Sequence, residues 1–260
     1  VIAEHRLHYI KDLADRVLYM RGGALERIFS GSEFFSLSEV ELSALHLRSF
    51  SAPAPLVPRA PRTLSHNFII KNVRPNIQEF SVETGTAVAV TGNNGAGKTA
   101  FARALCGLEK NDRSVLVLDG KIISRKDRLK RCYMVMQDVN SQLFTESVLD
   151  EVLLGMKNED ENGARAILAS LDLAQFTTRH PQSLSGGQKQ RLAIAAALAA
   201  ERDIIVLDEP SSGLDLTHMK EVAAAISSLV SQKKTVFVIT HDGELARAAC
   251  SRSLRLEEAA

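Results

Sequence analysis

The sequence carries almost no net charge: 32 Lys and Arg stand against 31 Asp and Glu, a formal +1 over 260 residues. So even a balance gives no global field to draw the chain to nucleic acid or an acidic membrane surface, and such a partner would need a local patch. Long apolar runs are missing too. Leu192 to Ala200, the longest of note, has nine residues and is rich in alanine, against the roughly 20 needed to cross a bilayer. Cysteine is scarce. Cys106, Cys132 and Cys250 are odd in number, widely spaced and near no His-rich cluster, which argues against a disulfide scaffold and a structural zinc site and for thiols in a reducing compartment. The opening Val1-Ile2-Ala3 has no polar lead-in and no signal-peptide pattern. It reads as a chain cut in mid-strand. What is present, 45% hydrophobic and 24% charged residues, excludes general disorder and leaves room for one large domain or two smaller ones.

Four of the seven prolines, Pro53, Pro55, Pro58 and Pro61, fall close together among Ala, Leu, Val and Arg, as in a stiff extended linker. A linker at 51–65 therefore separates a unit at 1–50 from a domain at 66–260. In the first unit, Ile10 to Gly23 ends in Arg21-Gly22-Gly23, and Leu37, Val40, Leu42 and Leu45 mark a helical stripe over Ser36 to Leu47. So short a piece cannot bury a large core alone. Shifted by 236 positions, Val1-Ile2-Ala3-Glu4-His5 lies over Phe237-Val238-Ile239-Thr240-His241, Arg16 over Arg252 and Leu18 over Leu254, without a gap. Both copies read as a buried strand ending in a polar residue and His, then a helix, then an Arg-x-Leu strand.

Beyond the linker, strands alternate with helices. Ala87–Thr91, Ser114–Leu118, Ile204–Leu207 and Thr235–Ile239 have strand length; Ala100–Leu108, Glu151 onward, Gly163–Leu173 and Gln188–Ala200 read as helices. Apolar strands separated by helices imply an α/β fold with a parallel sheet covered on both faces.

Gly92-Asn93-Asn94-Gly95-Ala96-Gly97-Lys98-Thr99 fits the phosphate-binding loop G-x-x-x-x-G-K-[ST]. Amino-acid frequencies give such a match by chance in about one chain in a hundred of this length, and here a strand precedes it and a helix follows. The glycines let successive N–H groups curl around phosphates while the helix N-terminus adds partial positive charge. Lys98 would reach the outer phosphates and the Thr99 hydroxyl would take one Mg²⁺ position. The strand Ile204 to Leu207 ends in Asp208 and Glu209, at the carboxyl edge where open parallel sheets place their ligand crevice. Asp208 suits an Mg²⁺ carboxylate and Glu209 the group that polarises an attacking water.

Leu184-Ser185-Gly186-Gly187-Gln188, continuing Lys189-Gln190-Arg191, lies just ahead of that strand and resembles the signature sequence of ATP-binding-cassette (ABC) ATPases. It is also a second glycine-rich turn opening a helix, able to offer N–H groups and the Ser185 hydroxyl to a phosphate. Gln137 resembles that family's Q-loop glutamine, Ser212-Gly213-Leu214-Asp215 its D-loop and His241 its switch histidine, so the resemblance covers residues from about 66 to 256. It implies a P-loop nucleoside triphosphatase with a mostly parallel sheet, an N-terminal antiparallel β subdomain and an inserted helical subdomain. It implies ATP and Mg²⁺ as ligands, with Thr99, Gln137 and Asp208 at the metal and Glu209, His241 and Gln137 in catalysis. It also implies that two cassettes close head to tail over ATP, so that Ser185, Gly186, Gly187 and Gln188 act on nucleotide held by the partner's loop.

By the same resemblance, Glu4-His5-Arg6 to Asp15-Arg16 is similar to the switch region of another cassette, with residues 1–50 as its tail. Fused pairs of this kind resemble the ATPase subunit of energy-coupling-factor (ECF) importers, whose segment after the Q-loop is similar to Met136 to Phe144 and Glu146 to Val152. The implied partners are a second ABC ATPase domain, from a missing half or a second copy, and transmembrane transporter subunits held around Gln137 to Leu173. The implied place is cytoplasmic, on the inner face of the cell membrane. Two departures stand out. ABC domains place an aromatic about 25 positions before the loop lysine to stack on adenine, yet Val73-Arg74-Pro75 has none, and Phe68 and Phe80 are the nearest. His5, moreover, has no phosphate loop of its own on this chain. A soluble cassette clamping ribosomes or nucleic acid is the competing reading; the near-neutral charge and short linker speak against it and no direct nucleic-acid contact is expected. A non-hydrolysing module is disfavoured by the intact Lys98, Asp208 and Glu209.

Overall fold

A computed structural model describes residues 1–11, 13–51, 67–73, 77–110 and 114–256, with the backbone alone at 67, 68, 72, 73, 77 and 78. The proline-rich segment falls outside the described residues.

The first unit is a hairpin, β1 (Arg16–Arg21) and β2 (Ala24–Ser30), followed by two short helices, α1 (Gly31–Phe35) and α2 (Glu39–Ala44). Gly22 and Gly23 both take positive φ and turn the chain between the strands. Each helix opens on a capping box, Ser30 with Glu33 and Ser38 with Glu41, which satisfies two orphan N–H groups at each start. Buried Leu7, Tyr19, Phe29, Phe34 and Leu42 form a small core, and Phe34 and Phe35 meet Phe50 edge to face at 5.3 Å. Of the expected stripe over Ser36 to Leu47, only 39–44 is helical; Leu42 is buried and Val40 is exposed. The repeat predicts a buried strand at Val1–Ala3, but these residues are exposed and irregular, and a single 3₁₀ turn, Leu7–Tyr9, replaces the helix. The cause is the missing neighbour: the counterpart strand, Thr235–Ile239, is held by partners on both sides, and no described strand flanks residues 1–3. The Arg16-x-Leu18 strand does form, as β1.

The remaining chain builds two sheets. The antiparallel one has the order β4 (Ile77–Glu83), β3 (Asn67–Val73), β6 (Val115–Leu118), β7 (Lys121–Ile123). The second is parallel throughout, in the order β11 (Arg252–Arg255), β5 (Ala87–Thr91), β10 (Thr235–Ile239), β9 (Ile204–Asp208), β8 (Cys132–Val135). Alternate residues of its strands face opposite ways. Ala87, Ala89, Ile205, Leu207, Val236 and Val238 face one core, lined also by α7 (Gly186–Ala199), α8 (Leu216–Ser231) and α9 (Gly243–Ala249). Val88, Val90, Val206, Phe237 and Ile239 face the other, beneath α3 (Lys98–Leu105) and the antiparallel sheet. Phe101 of α3 meets Phe237 edge to face at 6.0 Å, both fully buried, and burial of each such side chain is worth about 1.5–3 kcal/mol. Two further helices, α5 (Val148–Leu153) and α6 (Glu161–Ser170), bury Val148, Val152, Ala164 and Leu168 against α7 and so form the inserted helical part. The short α4 (Arg125–Arg131) precedes β8. Among the described residues no helix is long and apolar enough to cross a membrane.

Candidate functional site

The strand order decides the site. β5, β10 and β9 are consecutive in the parallel sheet, with Ile239 opposite Val90 on one side and Asp208 on the other. Their carboxyl ends therefore bring three distant turns together: 92–99 after β5, 209–215 after β9 and 240–242 after β10. Backbone bonds tie them, Glu209 N–H to the Ile239 carbonyl at 2.9 Å and Thr240 N–H to that of Val90 at 3.2 Å.

In the first turn Gly92 has φ +148°, and a Cβ there would lie 2.5 Å from the Leu256 carbonyl oxygen, so only glycine fits. Gly97 takes the left-handed conformation at the start of α3. Between them Asn93, Asn94 and Gly95 are exposed and Ala96 is buried beneath. The loop thus presents open backbone at a helix N-terminus, an arrangement that fits a phosphate. Lys98 curls back over it, donating from Nζ to the carbonyls of Gly92 at 2.9 Å and Asn93 at 2.8 Å.

Thr99 Oγ1 donates to Asp208 Oδ2 at 3.0 Å. The Asp208 side chain is buried, and burial raises its pKa above 3.8, opposed by Thr99 and the Lys98 charge. Hydroxyl and carboxylate are hard oxygen donors, so the pair fits Mg²⁺. Glu209 has φ +51°, a strained conformation for a non-glycine residue. Its Oε1 accepts from the His241 N–H at 3.1 Å and its Oε2 from Thr240 Oγ1 at 3.5 Å. Burial, then the neighbouring Asp208 charge, raises its pKa above 4.5 against the His241 N–H bond. His241 Nε2 lies 3.8 Å from Glu209 Oε1, and burial, then Lys98 and Arg6, lower its pKa below 6.5. The imidazole is therefore neutral near pH 7.

Among the described residues, none of the other expected residues forms a hydrogen bond with this cluster. Ser185 caps α7, accepting from the Gln188 N–H at 3.4 Å while Gln188 Oε1 accepts from the Ser185 N–H at 2.9 Å. A Cβ on Gly187 would lie 3.1 Å from Leu214 Cδ2, whereas Gly186 faces open space. Among the described residues no hydrogen bond joins 185–188 to the loop 92–99. Gln137 is exposed just beyond β8. Of the two nearest aromatics, Phe80 is half-buried against the core under α3, with the Arg252 guanidinium 5.9 Å from its ring; the Phe68 side chain, Arg74 and Pro75 lie outside the described residues.

The sequence reading missed Thr240 and Asp242. Asp242 follows His241, and its Oδ1 accepts from the N–H groups of Glu244 and Leu245 at the start of α9. An Asp opening a helix is the available signal. It missed Ser211 and Arg48 too, which bond the other Asp242 oxygen, and nothing local in the sequence marks Arg48.

Residues 76–212 match the family model described as ABC transporter. A protein of Treponema denticola, provisionally named an ABC transporter ATP-binding protein, is 42% identical over 98% of this chain and 55% of its own length. A protein of Methanosarcina acetivorans with the same name is 34% identical over 87% of this chain and 40% of its own length. The chain thus spans about half the length of these curated relatives. Among solved structures, CbiO1 from Clostridium perfringens, titled part of the ABC transporter complex CbiONQ, is 25% identical with a TM-score of 0.61, over 73% of this chain and 84% of that one. A nucleotide-free ATP-binding cassette of an ABC transporter, 20% identical with a TM-score of 0.63 over 74% and 88%, has the same fold. With its parallel sheet, antiparallel β part and inserted helices, the chain has the fold of a P-loop ABC ATPase and belongs to the ABC transporter ATP-binding family.

Proposed function

We propose that this chain binds and hydrolyses Mg·ATP as part of the ATPase subunit of an ABC importer of the energy-coupling-factor type. One observation carries the hydrolytic reading: Lys98, Thr99, Asp208, Glu209 and His241, from three separate turns, meet at the carboxyl ends of β5, β9 and β10. Lys98 would exchange its two carbonyl partners for the outer phosphates, a charge-assisted and stronger pairing. The N–H groups of 92–98 would cradle the phosphate oxygens. Thr99 and Asp208 would hold Mg²⁺, with Gln137 as a further ligand; when bound, the ion neutralises charge on the phosphates. Glu209 accepts the proton of the attacking water, and the burial that raises its pKa makes it a better acceptor than a solvated carboxylate. Neutral His241 can donate a ring N–H to the γ-phosphate. Ser185, Gly186, Gly187 and Gln188, which among the described residues form no hydrogen bond with the loop of their own cassette, would act on nucleotide held by a second ABC ATPase domain.

The domain reading is that residues 1–50 are the tail of a preceding cassette, 51–65 a linker and 66–260 an ABC nucleotide-binding domain. The relative 42% identical to this chain supports it, because 98% of the chain aligns with 55% of that protein and leaves nearly half of it for another unit. Transport is supported by the likeness to CbiO1, a component of a transporter complex. An open cavity of about 480 Å³ between β8 and α5, lined by Leu129, Met134, Phe144, Glu151 and Leu154, supports docking of transmembrane subunits. Its exposed Phe144 and Leu154 are apolar surface that a membrane partner would cover. That partnership would hold the chain at the cytoplasmic face of a membrane.

The test is Mg-dependent ATP hydrolysis by the chain beside Glu209→Gln, with sizing in ATP. Turnover lost in the variant, together with an ATP-trapped dimer, is expected. Equal turnover in both proteins removes Glu209 from the reaction, and failure to bind Mg·ATP ends the reading.

A further inference from the structure

Arg48 is 1% exposed although it lies in a short segment of the first unit. A buried guanidinium is costly unless its donors are met, and among the described residues its partners come from the cassette. Nε and Nη2 donate to the Leu214 carbonyl at 3.2 and 3.0 Å. Nη1 donates to Asp242 Oδ2 and, at 3.3 Å, to Glu244 Oε2. The flanking residues dock with it. The Leu216 N–H at the start of α8 donates to the His46 carbonyl at 3.3 Å, His46 Nδ1 lies 2.7 Å from Thr217 Oγ1, and the Ser49 N–H donates to Glu244 Oε1 at 3.2 Å.

The two turns that Arg48 joins are those that carry the candidate catalytic pair. Leu214 belongs to the turn that follows Glu209, and Asp242 is the neighbour of His241. From Asp242 the bonds run inward: Ser211 Oγ donates to Asp242 Oδ2 at 2.7 Å, and the Asp242 N–H donates to Thr240 Oγ1 at 2.9 Å. Thr240 and His241 then hold the two Glu209 oxygens. Burial alone would raise the Asp242 pKa, but Arg48 and Ser211 outweigh it and hold the carboxyl below 3.8. An arginine serves here where a lysine would not, since its planar fork meets a carbonyl and a carboxylate at once.

We propose that Arg48 is a positioning residue: by clamping the turn after Glu209 to the turn of His241, it makes hydrolysis in the cassette depend on the docked N-terminal unit. The inference rests on the ATPase reading above. It separates binding from chemistry, because among the described residues the phosphate loop and Lys98 form no hydrogen bond with Arg48 or its acceptors, whereas Glu209 and His241 hang from it.

The experiment compares the full chain with Arg48→Met and Arg48→Lys in ATP turnover, equilibrium ATP binding and amide hydrogen exchange. In Arg48→Met kcat is expected to fall about ten- to hundred-fold, the scale of a misplaced catalytic group, while KM and ATP affinity stay within about three-fold, roughly 0.65 kcal/mol. Exchange should rise in 209–216 and 240–245 but not in β5 or α3. Should Arg48→Met not fold, Arg48→Lys carries the test: it keeps a buried charge, yet one ammonium cannot span Leu214 and Asp242, so kcat should still fall several-fold at unchanged affinity. Wild-type kcat per folded molecule in either folded variant overturns the proposal, as does a matched loss of affinity and kcat. A parent that binds no ATP overturns the ATPase reading instead, and that result is separate from any behaviour of Arg48.

Discussion

The Thr99 hydroxyl donates to the Asp208 carboxylate across 3.0 Å, joining residues 109 positions apart. It is the first bond between the phosphate loop and the strand that ends in two acids, and it satisfies Asp208 only in part. Burial leaves that carboxyl with a raised pKa, so its ionised form costs stability. A raised pKa favours folding below the ordinary aspartate value of 3.8, and that advantage is lost as pH rises through the folded value. Asp208→Asn is therefore expected to melt above the parent near neutral pH without nucleotide. The gap should close in acid, where the parent's carboxyl is protonated too. Scanning calorimetry at both pH values reads this, and a variant that melts lower at neutral pH refutes it.

Glu209 must be ionised to take a proton, and its pKa lies above 4.5 because of burial and the Asp208 charge. ATP turnover should thus fall on acidification at a pH above that of an ordinary glutamate. Glu209→Gln should lose about 10²- to 10⁴-fold in kcat, the usual share of a general base, and retain ATP binding. Initial rates from about pH 4 to 8 locate the acid limb. A limb at or below the ordinary glutamate value would show that Glu209 is not the titrating base.

Lys98 holds two loop carbonyls at 2.8 and 2.9 Å, so its removal frees polar atoms that water can reach and should cost little stability. Lys98→Ala is expected to keep its melting temperature and lose about 10- to 100-fold in ATP affinity, the worth of a charged hydrogen bond. Fluorescence titration with a labelled ATP analogue measures it.

The three cysteines are free and buried. Burial pushes the Cys250 thiol up to about 12, and the Cys132 contact together with burial holds Cys106 far above 9.0. The thiolate is the reactive form. Native protein should therefore resist a chromogenic thiol reagent at neutral pH, and unfolding should release all three thiols. Rapid labelling of the folded chain would contradict the burial.

The strands Ala87–Thr91 and Thr235–Ile239 were legible to the residue, because short runs rich in β-branched residues between turn signals suit a strand buried on both faces. The phosphate loop was legible because its glycines answer a local demand, as at Gly92, where a Cβ would strike Leu256. The S-x-x-Q spacing of Ser185 and Gln188 announces the helix it caps. Val1 to Ala3 went the other way, since an apolar run becomes a strand only beside another strand, and a neighbour is not encoded in the run. Periodicity also overextended the helix around Val40, whose side chain is 78% exposed.

By itself the sequence determined the candidate groups of the site, the turns that carry them and the alternation of strand and helix, all set within a few residues by sterics and hydrophobic pattern. Only the tertiary structure decided that β10 lies between β5 and β9. That order seats His241 against Glu209 and Thr99 against Asp208, and it leaves Glu209 at a positive φ that no local rule predicts. It also decided that Arg48 is buried. Its acceptors lie 166 to 196 positions away, and a partner at that separation is fixed by how the layers assemble, not by any pattern a local stretch of chain can display.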